Sequence, residues 1–217
     1  MKKGVYAGSF DPATNGHLWM IEKGSSLFDE LVVAAGTNPE KKYTFSLEDR
    51  LWMLKESTEK YPNVTVASYE NQFLVNYARS VAADYIIRGI RSEEDYEYER
   101  SMRNINGDMD PEIVTAFLIP PRDSAEVSSS LVKGLVGPEG WEKVVKKYVP
   151  EPVYRRFLER FKGNLNRWLK LWNKIKARGE PNEVYNILAA SYSEPHRKYH
   201  TLAHIAHCLD EEEFEDS

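Results

Sequence analysis

The sequence predicts an α/β fold, in which a parallel sheet has its strands joined by crossover helices. Short apolar runs rich in β-forming residues alternate with longer stretches that place apolar residues at helical spacing. The chain has 217 residues, of which 41% are hydrophobic, so it can bury one substantial core and still carry an appendage. These observations together indicate one α/β domain followed by an extension.

Five strands are predicted, over residues 5–10, 31–36, 64–68, 85–90 and 114–120. The helices between and after them are predicted over residues 16–28, 46–60, 73–82, 93–105 and 129–136. In open sheets of this kind, ligands bind beyond the carboxyl ends of the strands. The residues that follow each strand are therefore where a functional site is expected.

Residues 8–17 join the first predicted strand to the first predicted helix. Gly8 lets the backbone turn where a side chain would collide, and Asp11 with Pro12 supplies turn chemistry. His17 lies in the first turn of the predicted helix. Free backbone N–H groups and the positive end of the helix dipole favour an anion there, so this segment suits a phosphate group.

The charge balance and the cysteine content restrict the classes of function. A formal net charge of −5 argues against a general nucleic-acid binder, which usually has a basic face, so any phosphate site must be local. The single cysteine, Cys208, excludes an internal disulfide framework. No signal-peptide hydrophobic region and no apolar run long enough to span a bilayer is present. We expect a cytoplasmic protein with no membrane or nucleic-acid partner.

Cations and hydroxyl groups follow several of the predicted strands. They are Lys41 and Lys42 after the second strand, Arg88 and Arg91 at the fourth, and the serine-rich segment 124–130 after the fifth. Arginine suits bidentate contacts with phosphate, and lysine acts as a point charge. The set predicts a pocket for a ligand with several phosphates. Neither a Walker P-loop nor the G-x-G-x-x-G dinucleotide fingerprint is present.

Residues 8–17 read Gly-Ser-Phe-Asp-Pro-Ala-Thr-Asn-Gly-His and resemble a nucleotidyltransferase signature. This block alone leaves nicotinate or nicotinamide mononucleotide adenylyltransferases and cytidylyltransferases open. Four later blocks resemble the bacterial phosphopantetheine adenylyltransferase family in order and spacing, namely residues 38–42, 87–91, 95–99 and 127–133. The resemblance covers about residues 1–161 and implies a Rossmann-like nucleotidyltransferase domain with a parallel five-stranded sheet.

The resemblance implies adenylyl transfer from ATP to 4'-phosphopantetheine, which gives dephospho-coenzyme A and pyrophosphate, with Mg2+ required. The acceptor phosphate would attack the α-phosphorus of ATP, with no covalent enzyme intermediate. In-line phosphoryl transfer depends mostly on positioning and on stabilising charge at the non-bridging oxygens. The family resemblance also implies a homo-oligomer, specifically a hexamer, and feedback by coenzyme A.

The resemblance assigns roles to individual residues. The catalytic residues it implies are His17, Lys41 and Arg91. The residues expected to bind the acceptor substrate are Ser9, Lys41, Leu74 and Arg88. Those expected to bind ATP are Ser9, Phe10, His17, Gly89, Ile90, Arg91, Glu99, Ser124, Ser128, Ser129 and Ser130. No metal ligand is expected from the protein itself.

Several of these residues have a simpler structural explanation. The two arginines could form surface ion pairs with Glu93, Glu94 or Asp95, although their place at a strand end favours a ligand. Residues 128–130 could be a plain helix cap, and Glu99 could lie on a solvated helix face. Asp11 is better explained as a turn and cap residue than as a base.

Three positions depart from the family pattern. Ser9 replaces a more frequent threonine but keeps the hydroxyl group. Trp19 stands where an acidic residue is usual, and Glu126 stands where an aromatic or apolar residue normally precedes the serines. Glu126 would repel a triphosphate unless it points outward, but none of these changes removes a proposed donor. The domain is therefore expected to be active.

Residues 162–217 are predicted to form a helical extension after a first domain of residues 1–161. A helix that begins near Pro150 completes the first domain, and residues 165–175 form a second amphipathic stripe. The acidic segment 210–217 is predicted to be a disordered tail.

The extension contains a histidine-rich segment with His196, His200, His204 and His207. His200 and His204 are four residues apart, a common metal-ligand spacing on a helix. The segment resembles the opening of HD-type metal-dependent phosphohydrolases, whose site also needs a His-Asp pair and a distal Asp. We expect a truncated module without activity, and an interface helix rather than an occupied metal site. A second hypothesis makes the chain a phosphohydrolase or nucleotide-binding module, with the front domain as a sensor or scaffold.

Overall fold

The computed structural model describes residues 1–136 and 140–192, together with residues 205, 208 and 209. The chain divides into two compact units, residues 1–129 and 130–217. The boundary predicted between residues 161 and 162 stays a prediction. Among the described residues, no helix is both long enough and apolar enough to cross a membrane.

The first unit is built on a parallel sheet with the strand order β3-β2-β1-β4-β5. The strands are β1 (Lys3–Gly8), β2 (Glu30–Thr37), β3 (Val64–Glu70), β4 (Tyr85–Gly89) and β5 (Val114–Leu118). In the centre of the sheet, Val5 pairs with Val32 on one side and with Ile86 on the other. The predicted parallel five-stranded sheet is thereby confirmed.

The helices of this unit are α1 (Asn15–Leu27), α2 (Leu47–Thr58), α3 (Leu74–Ser80), α4 (Glu93–Met109) and α5 (Arg122–Ala125). All of the predicted helices between the strands are confirmed to within a few residues, except that α4 runs four residues beyond its predicted end. The short α5 was not predicted. Strand β1 ends two residues early because Phe10 adopts a left-handed backbone conformation, with φ of 48°, which no extended strand accommodates.

The hydrophobic core of the first unit lies on the central strands. Val5, Leu31, Val33, Ile86 and Ile87 are fully buried there, as expected for parallel strands that are covered on both faces. Burial of apolar side chains contributes about 25 cal/mol per Å² removed from water, so these strands contribute much of the stability of the first unit. The loops that carry the candidate site begin at the ends of these strands.

The second unit is helical in its described part. Its helices are α6 (Ser129–Gly134), which begins one residue before the unit boundary, α7 (Trp141–Val145), α8 (Glu151–Lys162), α9 (Asn164–Lys174) and α10 (Pro181–Tyr192). Trp141 packs edge-on against Phe161, with ring centroids 6.1 Å apart. The indole N–H of Trp168 donates to the carbonyl of Pro181 at 2.9 Å. The predicted helical extension is confirmed in this part, while α10 was not predicted.

Two predictions, for the histidine-rich segment and for the acidic tail of the extension, concern residues outside the described ranges. His196, His200, His204 and His207 lie outside the described residues, as do residues 210–217. The predicted HD-type resemblance and the predicted disorder of the tail therefore stay predictions.

Candidate active site

The loops after β1, β2 and β4 start from one edge of the sheet. Gly8 of β1 pairs with Ala35 of β2, and Tyr6 of β1 pairs with Ile87 of β4. Because the three strands are parallel and adjacent, the residues that follow them lie side by side. This register brings Ser9, the start of the Lys41 loop, and Arg88 to the same edge.

His17 is fixed by the N-terminal cap of α1. It occupies the third position of the helix, and the backbone N–H of Thr14 donates to its Nδ1 at 2.9 Å. The Thr14 hydroxyl lies 2.8 Å from the same nitrogen. A backbone N–H can only donate, so Nδ1 carries the lone pair, and the proton of the neutral ring is on Nε2. His17 is therefore set up as an N–H donor through Nε2.

The surroundings of His17 keep its ring neutral. Burial and, to a smaller extent, the positive charge of Arg91 together lower the pKa of His17 to about 4. The ring of Phe10 packs edge-on against the imidazole, with centroids 5.2 Å apart. Phe10 itself is buried, so its side chain supports His17. A neutral histidine suits charge stabilisation by hydrogen bonding better than proton transfer near pH 7.

We expect the imidazole of His17 to stay neutral from pH 9 down to about pH 5 in the unliganded protein. The folded-state pKa is about 4, whereas an unperturbed histidine has a pKa of about 6.5. Unfolded chains therefore take up a proton that the folded protein does not, and the stability falls as the pH drops below about 6.5. NMR titration of the His17 ring protons measures the pKa directly. A midpoint near 6.5 would contradict the assignment.

The segment 124–129 is held against residues 12–16 by two polar contacts and one close backbone approach. The Ser129 hydroxyl donates to the carbonyl of Pro12 at 2.8 Å, and the Thr14 hydroxyl lies 3.4 Å from the carbonyl of Val127. A Cβ atom on Gly16 would stand 2.7 Å from the carbonyl oxygen of Ser124. Only glycine permits this approach, because the obstructing atom belongs to a backbone that has little freedom to move.

Replacing Gly16 with alanine is expected to push the 124–129 segment away from α1. The new methyl group would overlap the Ser124 carbonyl, and overpacking of this kind costs about 1–3 kcal/mol. We expect a lower melting temperature and a raised KM for ATP, since the displaced segment includes predicted ATP-binding serines.

Gly107→Ala is the matched control for this prediction. Gly107 lies inside α4, and a Cβ there meets no atom within 4 Å. Alanine should therefore stabilise the helix by up to about 1 kcal/mol. Equal behaviour of the two variants in a thermal melt would contradict the steric explanation.

Arg88 is held by a carboxylate and by the neighbouring strand. Its Nε donates to Glu99 Oε2 at 2.7 Å, and its Nη2 donates to Glu99 Oε1. Its Nη1 donates to the carbonyl of Ala7 at 2.9 Å. Burial lowers the pKa of Arg88, but the hydrogen bonds and the charge of Glu99 outweigh it, so the net direction is upward. The guanidinium is thus fixed at the edge of the sheet.

Arg91 is paired in the same way but is more exposed. Its Nε donates to Asp95 Oδ2 at 2.7 Å, and the pKa of Asp95 is lowered chiefly by this hydrogen bond. Asp95 and Glu99 are four residues apart on α4, so they share one face of the helix. Arg91 therefore forms an ion pair with Asp95, one of the partners considered from the sequence. Arg88 also forms an ion pair, but its partner is Glu99, which was not among those considered. Glu99 is buried, so it does not lie on a solvated face.

Lys41 lies in a loop that Asp11 anchors. The Asp11 carboxylate accepts the backbone N–H groups of Thr44 and Phe45, at 3.0 and 2.8 Å. The N–H of Lys41 donates to the carbonyl of Asn38 at 3.0 Å and closes a turn. The Lys41 side chain is exposed. The interpretation of Asp11 as a residue that organises a turn agrees with this geometry, except that the turn it organises belongs to a different loop.

The remaining predicted site residues are placed as follows. Leu74 begins α3 and packs against the core of the first unit. Gly89 ends β4, and the N–H of the buried Ile90 donates to the carbonyl of Leu118 at 2.9 Å. Ser124 and Ser128 are half-buried in the first unit, whereas Ser130 is exposed in the second. The assignment of every site residue to a substrate stays a prediction.

Trp19 and Glu126, two of the positions that depart from the family pattern, each lie near a cation that is close in the sequence. Glu126 is exposed and lies 3.7 Å from the guanidinium of Arg122, so its charge has a partner of opposite sign. The ring of Trp19 lies 6.0 Å from the ammonium group of Lys23 on the next turn of α1.

Sequence reasoning missed two residues that organise this edge. Thr14 was not singled out, although its backbone N–H fixes the tautomer of His17. Arg50 was not singled out, although it is buried on α2 and donates to the carbonyl of Ser9 at 2.7 Å. A signal for Arg50 was present, since it is an arginine among the apolar residues of an amphipathic helix. Nothing in the local sequence tells which strand ends it reaches.

The chain is similar to known adenylyltransferases. Residues 5–135 match the profile of the cytidylyltransferase-like family. A phosphopantetheine adenylyltransferase from Chromobacterium violaceum is 60% identical over 161 residues, which cover 74% of this chain and 98% of that protein. One from Neisseria meningitidis serogroup C is 59% identical over 157 residues, which cover 72% of this chain and 92% of that protein.

A solved structure supports the fold. The Plasmodium falciparum nicotinic acid mononucleotide adenylyltransferase complexed with NaAD superposes with a TM-score of 0.52 and 16% sequence identity, covering 74% of this chain and 96% of that one. At this identity the likeness concerns the fold alone, which is a Rossmann-like nucleotidyltransferase fold. By sequence similarity over nearly the full length of its relatives, the chain belongs to the phosphopantetheine adenylyltransferase family.

Proposed function

We propose that this protein transfers AMP from ATP to 4'-phosphopantetheine, giving dephospho-coenzyme A and pyrophosphate. The observation that carries the proposal is the neutral His17, whose Nδ1 is already bonded to the Thr14 N–H and whose Nε2 carries the proton. Such a donor stabilises negative charge on a non-bridging phosphate oxygen without giving up its proton. Family membership supplies the identity of the two substrates.

In the proposed reaction, an oxygen of the acceptor phosphate forms a bond to the α-phosphorus of ATP as the bond to pyrophosphate breaks. His17 donates from Nε2 to an α-phosphate oxygen, where charge develops. Lys41 and Arg88 hold the acceptor phosphate, and Ser9 lies between the two substrates. Arg91, with the segment 124–129, balances the charge of the triphosphate. Every role is one of positioning or charge stabilisation, as in-line phosphoryl transfer requires.

Mg2+ is proposed to enter with ATP. Among the described residues, no group of three or more His, Cys, Asp or Glu side chains is placed to hold a metal ion. Mg2+ keeps several waters and commonly binds through substrate phosphates rather than in a cage made only of protein ligands. The donor set of this edge, which is cationic and hydroxylic, suits the phosphate oxygens that the metal leaves uncovered.

Four further properties are proposed. The protein is proposed to be cytoplasmic and to assemble as a homo-oligomer, a hexamer by family resemblance. Coenzyme A is proposed as a feedback ligand on the same grounds. The histidine-rich segment of residues 196–207 is proposed to have no phosphohydrolase activity of its own.

The test incubates the full chain with ATP, Mg2+ and either 4'-phosphopantetheine or nicotinamide mononucleotide, and measures pyrophosphate and inorganic phosphate separately. We expect pyrophosphate with phosphopantetheine only. Release with the mononucleotide alone would change the acceptor but keep the reaction class. Release of inorganic phosphate without any acceptor would favour the phosphohydrolase alternative. A protein that releases no pyrophosphate with phosphopantetheine would overturn the proposal.

A further inference from the structure

Arg50 forms hydrogen bonds near the ends of two neighbouring strands that lead into the loops of the candidate site. It lies on α2 and is only 1% exposed. Its Nη1 donates to the carbonyl of Ser9, just after β1, at 2.7 Å, and to the carbonyl of Gly36, near the end of β2, at 3.1 Å. Its Nη2 lies 3.4 Å from the Thr37 hydroxyl. A single guanidinium therefore connects the Ser9 loop with the root of the Lys41 loop.

The same guanidinium also supports the inside of the Lys41 loop. The ring of Tyr43 stacks on it, with the guanidinium carbon 4.1 Å from the ring centroid. The Tyr43 hydroxyl accepts the backbone N–H of Asn38 at 2.8 Å. Because Asn38 also accepts the N–H of Lys41, the contacts run without a break from Arg50 to the turn that carries Lys41.

A buried arginine at position 50 carries a desolvation cost that an apolar side chain of similar size would not carry. Burial lowers its pKa, while the charge of Asp11 opposes that shift. Buried charges can often be replaced by apolar side chains without loss of stability. The hydrogen bonds to the carbonyls of Ser9 and Gly36 offset part of the cost of burying this charge.

We propose that Arg50 is a positioning residue, which sets the distance between Ser9 and Lys41 by holding the ends of β1 and β2 and the ring of Tyr43. The inference rests on the proposed function, because it takes Ser9 and Lys41 to bind the acceptor. Arg50 itself is too deeply buried to contact a substrate. Arg50 acts through the two loops. Its substitution should therefore lower kcat/KM for the acceptor substrate more than it destabilises α2.

The first test compares Arg50→Lys with Met53→Leu, a near-isosteric change in the buried face of the same helix. Arg50→Lys keeps the charge but lacks the fork that reaches two strand ends. We expect kcat/KM for 4'-phosphopantetheine to fall about 10- to 100-fold, because misplacing a binding group by about 1 Å can cost that much. Met53→Leu should change it less than about twofold, as volume-conserving core changes cost little. An unchanged kcat/KM in Arg50→Lys, or an equal loss in Met53→Leu, would overturn the inference.

A double-mutant cycle tests whether Arg50 acts through Lys41. In a Lys41→Ala background, Arg50→Lys should lower kcat/KM for 4'-phosphopantetheine much less than it does in the wild type. The lysine that Arg50 positions is already absent there. Fully additive effects would refute the coupling. Tyr43→Phe removes only the hydroxyl that holds Asn38, and it provides the same test if Arg50→Lys does not fold. We expect from it a smaller fall of kcat/KM for the acceptor.

Hydrogen exchange gives a readout that does not depend on activity. The amides of Asn38, Lys41, Thr44 and Phe45 should exchange faster in Arg50→Lys and remain unchanged in Met53→Leu. If the wild-type protein releases no pyrophosphate, the proposed function fails, while faster exchange would still support the anchoring of the loop. If the wild type is active and exchange in Arg50→Lys is unchanged, the inference about Arg50 fails alone.

Discussion

Replacing His17 with alanine is expected to lower kcat by about 10²- to 10³-fold, or about 3–4 kcal/mol, with little change in KM for either substrate. The donor at Nε2 acts where charge develops on the α-phosphate, so its loss falls on the transition state rather than on substrate binding. The measurement is steady-state pyrophosphate release at varied concentrations of both substrates.

Thr14→Val is the control for this prediction. It removes the hydroxyl 2.8 Å from Nδ1 but keeps the backbone N–H that fixes the tautomer. The donor remains on Nε2, so we expect a loss of less than about tenfold, consistent with one neutral hydrogen bond. Circular dichroism should show both variants folded. A His17→Ala protein that turns over like the wild type would remove His17 from the catalytic set.

Glu99→Ala should destabilise the protein by about 3 kcal/mol and reduce its activity at the same time. It removes both carboxylate oxygens that hold Arg88. Because Arg88 and Glu99 have side chains that are only 27% and 11% exposed, the variant leaves a cation without its partner in a poorly solvated place. The free guanidinium should then lose its orientation at the acceptor site. Chemical denaturation and the KM for 4'-phosphopantetheine measure the two effects.

Asp95→Ala is the matched control, one turn earlier on the same face of α4. It breaks the pair with Arg91, whose side chains are 43% and 29% exposed, and pairs that are open to water contribute about 0–1 kcal/mol. A second variant, Arg88→Met with Glu99→Leu, should recover stability without recovering activity, since it removes both charges together. If Glu99→Ala is as stable as Asp95→Ala, the two pairs are energetically alike and the prediction is wrong.

Much of the first unit could be predicted because local patterns carried it. The five strands and the helices between them follow from the alternation of apolar runs. The parallel topology explains why the loops that lead to His17 and Lys41 start from the same edge of the sheet as Arg88. The boundaries failed where a single backbone conformation decided them, as at Phe10. The amphipathic stripe over 165–175 predicted α9, whereas α10 has a weaker pattern and was missed.

The contacts that organise the site were harder to predict because they join residues far apart in the chain. Arg88 and Glu99 are separated by eleven positions, Asp11 and Phe45 by thirty-four, and Arg50 and Ser9 by forty-one. A local pattern records that a charge is present but not which backbone group it will meet. The sequence therefore offered Glu93, Glu94 and Asp95 as partners for the arginines, and only the turn of α4 selects Asp95 and Glu99.

The sequence by itself determined the fold class, the family and the chemical types of the site residues, because hydrophobic periodicity and the signature at residues 8–17 are local properties of the chain. Only the tertiary structure decided the protonation of His17, since its pKa depends on burial and on the charge of Arg91. It also decided that Arg50 contacts both the Ser9 loop and the Lys41 loop. Proton affinity and loop position arise from surroundings assembled by distant segments, and those surroundings exist only once the sheet has brought its strand ends together.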